Sequence, residues 1–80
     1  MADPVADILS CVVAGIVEHP EVVAVSAYED AGGTTYEVRV AEDDMGKVIG
    51  RQGRVASSLR LVARAAAMKR HQRVQVEFVS

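Results

Sequence analysis

Two glycines three residues apart carry the most chemistry in this chain. They lie in Val48-Ile49-Gly50-Arg51-Gln52-Gly53-Arg54. Glycine lets a backbone turn tightly and lets a ligand come close to the main chain. A helix starting at about Arg54 would aim its free N–H groups and the positive end of its dipole back at this loop. Such a place suits a phosphate. Arg51 and Arg54 add forked guanidinium donors that match phosphate oxygens. Lys47 adds a less directional charge, and Gln52 an exposed donor and acceptor. By itself the pair of glycines is also an ordinary turn, so the flanking elements decide.

The charge distribution favours a polyanion. Net charge is −2, but residues 1–44 hold ten acids against Arg39 alone, a balance of −9. Residues 45–76 hold Lys47, Arg51, Arg54, Arg60, Arg64, Lys69, Arg70 and Arg73 with no acid, a balance of +8; Glu77 completes the total. A polyanion responds to this segregated field rather than to the sum. The two halves can also attract each other within the fold.

Other chemistry is absent. No Ser/His/Asp set, no Cys/His metal spacing and no Walker or dinucleotide glycine pattern occurs, so neither enzyme activity nor a cofactor or metal is expected. His19 and His71 stand at helix ends with no partner implied, and Cys11, the single cysteine, reads as a small buried hydrophobe on the first helix. One cysteine forms no internal disulfide, which fits a reducing compartment. No apolar run approaches the ~20 residues of a membrane span, and Asp3 and Asp7 speak against a secretory signal. A cytoplasmic location is expected.

One domain over residues 1–80 must position the loop. Asp3 reads as the cap of a first helix with Pro4 as its first residue. Val5, Ile8, Leu9, Val12 and Ile16 form its apolar stripe, and Pro20 ends it near His19. Residues 21–29 read as a strand, 30–33 as a turn and 34–41 as a second strand, with Tyr36, Val38 and Val40 on one face. Asp43 or Asp44 would cap a short helix over 45–49. A second long helix runs from 54 to 69 or 70 with Val55, Leu59, Val62 and Ala66 as core stripe. Leu61, Ala65 and Met68 make a second stripe, to be covered by the first helix or by another chain. A third strand over 73–79 returns parallel to the second.

The order is α-β-β-α-α-β, an α+β fold with three helices on one face of a three-stranded mixed sheet. That order, with an apolar pair and G-x-x-G joining two helices after a hairpin, resembles the type II KH domain. The length is similar to the small bacterial RNA-binding proteins of the KhpA family. The resemblance implies single-stranded RNA as partner, with the loop clamping about four backbone nucleotides. It makes Lys47, Val48, Ile49, Gly50, Arg51, Gln52, Gly53, Arg54 and Val55 the RNA-binding residues, Arg60 and Arg64 outer contacts, and Val38 or Val40 the groove floor. It further implies an RNA chaperone or post-transcriptional regulator linked to cell shape and envelope homeostasis, as a homodimer or paired with a larger KhpB-like KH protein. Leu61, Ala65 and Met68 are the candidate dimer face. The alternative is a protein-interaction adaptor with little RNA binding of its own. With only Tyr28, Tyr36 and Phe78 as aromatics, recognition by base stacking is not expected.

Overall fold

The computed structural model describes residues 3–68 and 72–80. Helix α1 spans Pro4–Ile16, β1 Ala24–Asp30, β2 Gly33–Arg39, α2 Met45–Ile49, α3 Arg54–Met68 and β3 Val74–Val79. Short 3-10 turns at Pro20–Val22, Glu42–Asp44 and Arg51–Gly53 link them. The sheet order is β1-β2-β3, with β1 antiparallel and β3 parallel to β2. The α+β architecture and its order are those expected. The central strand alternates as predicted: Thr34, Tyr36, Val38 and Val40 are buried under the helices, while Arg39 is exposed. No described helix is long and apolar enough to cross a membrane.

The start of α1 follows from its cap. The Asp3 carboxylate accepts the N–H groups of Val5 and Ala6 at 3.0 and 3.3 Å, and its other oxygen accepts the Tyr36 hydroxyl at 2.8 Å. One residue thus starts the helix and pins it to the central strand. The helix ends at Ile16, before His19, because Val17 is already extended.

The core stripes keep Val5, Leu9 and Leu59 as expected but differ from the sequence expectation at the other positions. In α1 the buried residues are Val5, Leu9 and Val13, while Ile8, Val12 and Ile16 stay 37%, 41% and 39% exposed. Cys11 is exposed as well, one helical step off the core stripe. In α3 the buried set is Ala56, Leu59, Ala63 and Ala67, with Val62 exposed and Val55 and Ala66 half-buried. Small side chains let α3 approach the sheet closely, so alanine rather than the bulkier valines faces inward. The displaced side chains, Val12, Ile16, Val55 and Val62, line an open apolar cleft of about 290 Å³ between α1 and α3. Leu61 and Met68 are 67% and 74% exposed, so α1 does not cover that stripe.

The first strand starts later than expected, since Pro20–Val22 forms a turn, and it is exposed along most of its length. Its hairpin with β2 closes tightly: Asp30 pairs with Gly33, and the Asp30 carboxylate accepts the Gly32 N–H at 2.8 Å. At Gly33, φ is +129°, and a Cβ would lie 2.5 Å from the Arg73 carbonyl oxygen. The entry to β3 can pack there only against glycine.

Candidate nucleic-acid interface

The loop is built from three departures from ordinary backbone within four residues. Gly50 closes α2, donating to the Gly46 carbonyl at 2.9 Å, and sits at φ 76°, ψ 175°. Side chains rarely adopt that region. A Cβ there would also lie 2.4 Å from Val55 Cγ2 and 2.9 Å from the Val55 nitrogen. Gln52 follows in the left-handed region at φ 57°, and Gly53 at φ 73°, where a Cβ would meet nothing within 4 Å. The Gly53 N–H donates to the Gly50 carbonyl at 3.3 Å. Gly50 is therefore fixed by packing and backbone together, Gly53 by backbone alone. Open space beside Gly53 is where a ligand backbone can approach.

Arg51, Gln52 and Arg54 are exposed around this turn, and Arg54 reaches Gln52 Oε1 at 3.4 Å. Among the described residues, Arg51, Arg54, Arg60, Arg64 and Arg73 form no ion pair. Their charge is not neutralised by an acid, though Arg60 is held by the Val76 carbonyl. Lys47 differs: its Nζ binds Glu18 at 2.8 Å and lies 4.0 Å from Asp44, tying it to the connection after α1. Val48 is fully buried and supports the loop from within the core, whereas Ile49 is exposed and Val55 half-buried.

The position behind the loop that the sequence did not disclose is Asp44. It occupies the cap position of α2 but makes no side-chain bond to that helix. Its buried carboxylate instead accepts the backbone N–H groups of Glu18 and His19, at 3.1 and 3.0 Å. Burial works to raise its pKa, yet those two bonds and the His19 and Lys47 charges hold it below the ordinary carboxylate value. His19, read from sequence as partnerless, meets Asp43 at 3.3 Å and Glu21 at 3.6 Å. Desolvation opposes its charge, but the Asp43 hydrogen bond and the Asp43, Asp44 and Glu21 charges raise its pKa above 6.5. A raised histidine stabilises the fold fully below pH 6.5, and that contribution disappears as pH rises through the folded-state value. The lowered Asp44 contributes above pH 3.8 and loses its share as pH falls. Thermal melts should therefore show stability declining gently above pH 6.5, since the His19 side chain is 41% exposed. His19→Gln should flatten that decline; an unchanged slope would remove His19 as its source.

A family model described as KhpA/KhpB, KH domain, matches residues 6–78. The chain belongs to the KhpA/KhpB KH-domain family. That family is not enzymatic. A protein of Leifsonia xyli subsp. xyli named RNA-binding protein KhpA is 48% identical over 68 residues, covering 85% of this chain and 90% of its own. The protein of the same name from Halalkalibacterium halodurans is 47% identical over 64 residues, 80% of this chain and 84% of its own. That from Clostridium acetobutylicum is 42% identical over 72 residues, 90% and 96%. A solved structure of Era from Aquifex aeolicus bound to GDP·AlF4− shares the fold, with TM-score 0.68 and 20% identity over 94% of this chain and 29% of its own.

Within this KH domain the open groove lies beside β3, not over β2. Val38 and Val40, expected as groove floor, are buried to 0% and 1% exposure because β2 is the central strand. The edge strand β3 faces a cleft of about 340 Å³ lined by Arg60, Arg64, Val74, Gln75, Val76 and Glu77. Arg60 spans it, donating from Nε to the Val76 carbonyl at 3.3 Å with its guanidinium 5.6 Å from the Phe78 ring centre. Lys69 and Arg70 lie outside the described residues. Among the described residues no cluster of His, Cys, Asp and Glu is placed to hold a metal ion.

Proposed function

We propose that this KH domain binds single-stranded RNA in the cytoplasm, with the Gly50–Gly53 backbone admitting phosphates and Arg51 and Arg54 holding them. The observation that carries the reading is the loop itself. Two exposed arginines without ion-pair partners among the described residues flank a glycine turn with open space at Gly53 and a helix N-terminus behind it. The cleft along β3 would receive the bases, with Ile49 and Val55 beside the loop as apolar contacts and Arg64 as an outer one. Lys47 and Arg60, already engaged, serve chiefly to hold the walls. Family resemblance supports the cellular role: an RNA chaperone or post-transcriptional regulator linked to cell shape and envelope homeostasis. Titrating isotopically labelled protein with a short single-stranded RNA tests the site. Amide shifts should concentrate at residues 49–55 and along β3, and Arg51→Ala should lower the salt slope of log affinity by about 0.7. Shifts confined to other surfaces would overturn the assignment.

A second reading, compatible with the first, is pairing with another copy or with a KhpB-like partner. The exposure of Leu61 and Met68 on a helix that needs neither for its core favours it. Leu61→Asp is then expected to lower the mass measured by light scattering towards the monomer value. A wild-type chain that is itself monomeric up to high concentration would refute self-pairing through this face.

A further inference from the structure

A cleft of about 540 Å³ lies at the end of α3 farthest from the glycine loop. Arg64 from α3 and Arg73 from the entry to β3 both line it, with Thr34, Thr35 and Gln75 as polar walls. Asp30 is the only acid among its described lining residues, and its Oδ1 is already held by the Gly32 N–H. The cleft is continuous with the one along β3, since Arg64, Val74 and Gln75 line both. Arg64 stands about 15 Å along the helix from Arg54, at 1.5 Å per residue. A strand held at the loop and laid against β3 would reach it.

Gln72 points to what would bind. Its backbone N–H donates to the Ala67 carbonyl at 3.3 Å, and its Nε2 donates to Thr34 Oγ1 at 2.5 Å. Its Oε1 is buried and has no partner. An unmet acceptor of this kind is a standing cost that a native structure rarely keeps without use. The terminal amide torsion is broad, and a ligand that draws the oxygen into the cleft Gln72 lines would do so in exchange for the Thr34 bond. An acceptor in a cleft that Arg64 and Arg73 also line suits a nucleotide whose base carries an exocyclic amino group, as adenine and cytosine do and uracil does not.

We propose that this cleft is a base-selective nucleotide pocket at the far end of the RNA track, with Gln72 accepting from an exocyclic amine and Arg64 and Arg73 binding the adjoining phosphates. The inference rests on the RNA-binding reading above. Its test is fluorescence anisotropy with uridine decamers, each carrying one adenosine or cytidine moved stepwise along the strand. Wild type should bind about five-fold tighter in one register than to all-uridine RNA. Gln72→Leu should keep the all-uridine affinity while losing that gain, whereas a merely structural loss would lower affinity for every decamer. Arg64→Ala with Arg73→Ala should lower affinity for every decamer. A wild type without register dependence, or a Gln72→Leu variant that keeps the gain, overturns the pocket. In either case loss of binding on Arg51→Asp with Gln52→Asp would leave the loop reading standing. A wild type that binds no decamer overturns both.

Discussion

Gly50→Ala is expected to destabilise the protein by about 4 kcal/mol, and Gly53→Ala by about 1 kcal/mol. The two glycines look equivalent in the motif but differ in their surroundings. At Gly50 two costs add. The backbone at φ 76°, ψ 175° is all but closed to a side chain, and the new methyl group would press into Val55 at both its side chain and its nitrogen. Relief requires the start of α3 to move away from α2, and the nitrogen cannot rotate aside as a side chain can. At Gly53 only the left-handed conformation opposes substitution, because the space beside it is open. An 80-residue domain has roughly 4–12 kcal/mol of stability in all. Gly50→Ala therefore removes a third or more, and Gly53→Ala leaves a folded protein. Urea denaturation decides the matter: equal losses at the two positions would mean the packing against Val55 yields more easily than its geometry implies. Gly53→Ala then becomes the useful probe of function, since a folded variant with a methyl group in the ligand's approach should bind RNA poorly.

Arg51→Asp combined with Gln52→Asp is expected to weaken single-stranded RNA binding by at least about 100-fold while leaving the melting temperature nearly unchanged. Both side chains are exposed, and Arg51 forms no ion pair among the described residues, so the fold loses little. Binding loses twice. A phosphate contact goes, and two carboxylates are placed where phosphates would sit. Like charges brought together at an interface cost several kcal/mol, and ~3 kcal/mol corresponds to the hundred-fold figure. Aspartate also tolerates the left-handed backbone found at position 52. Affinity within a few-fold of wild type at low salt would refute the loop as the binding site.

The sequence disclosed the parts whose signals are local. Asp3 and Pro4 announced α1, and the alternation through Tyr36, Val38 and Val40 announced a strand with one covered face. What it could not disclose depends on partners far along the chain. Hydropathy placed the valines and isoleucines of α1 and α3 inward, but Ala56, Ala63 and Ala67 win the core because close approach, not side-chain apolarity, sets the rotation of α3. Alternation likewise cannot distinguish a central strand from an edge strand, so Val38 and Val40 read as groove floor although both are fully covered, while β3 holds the open edge. Asp44 bonds a connection 25 and 26 residues away and leaves no periodic trace. The loop residues were legible because two glycines, a helix start and a charge boundary coincide within a few positions. The orientation of Lys47 towards Glu18 was not, since a flexible side chain follows the nearest acid in space.

Gln52 carries a consequence for how this domain would respond to selection. A residue other than glycine in the left-handed region costs roughly 1 kcal/mol, and the chain bears it at the tip of its glycine loop. A screen for heat-resistant variants that ignores RNA should therefore enrich glycine or asparagine at position 52. A parallel screen that also demands RNA binding would retain glutamine only where the side chain contributes to the complex. The divergence between the two outcomes measures, in the currency of survival, what one strained residue is worth to the loop.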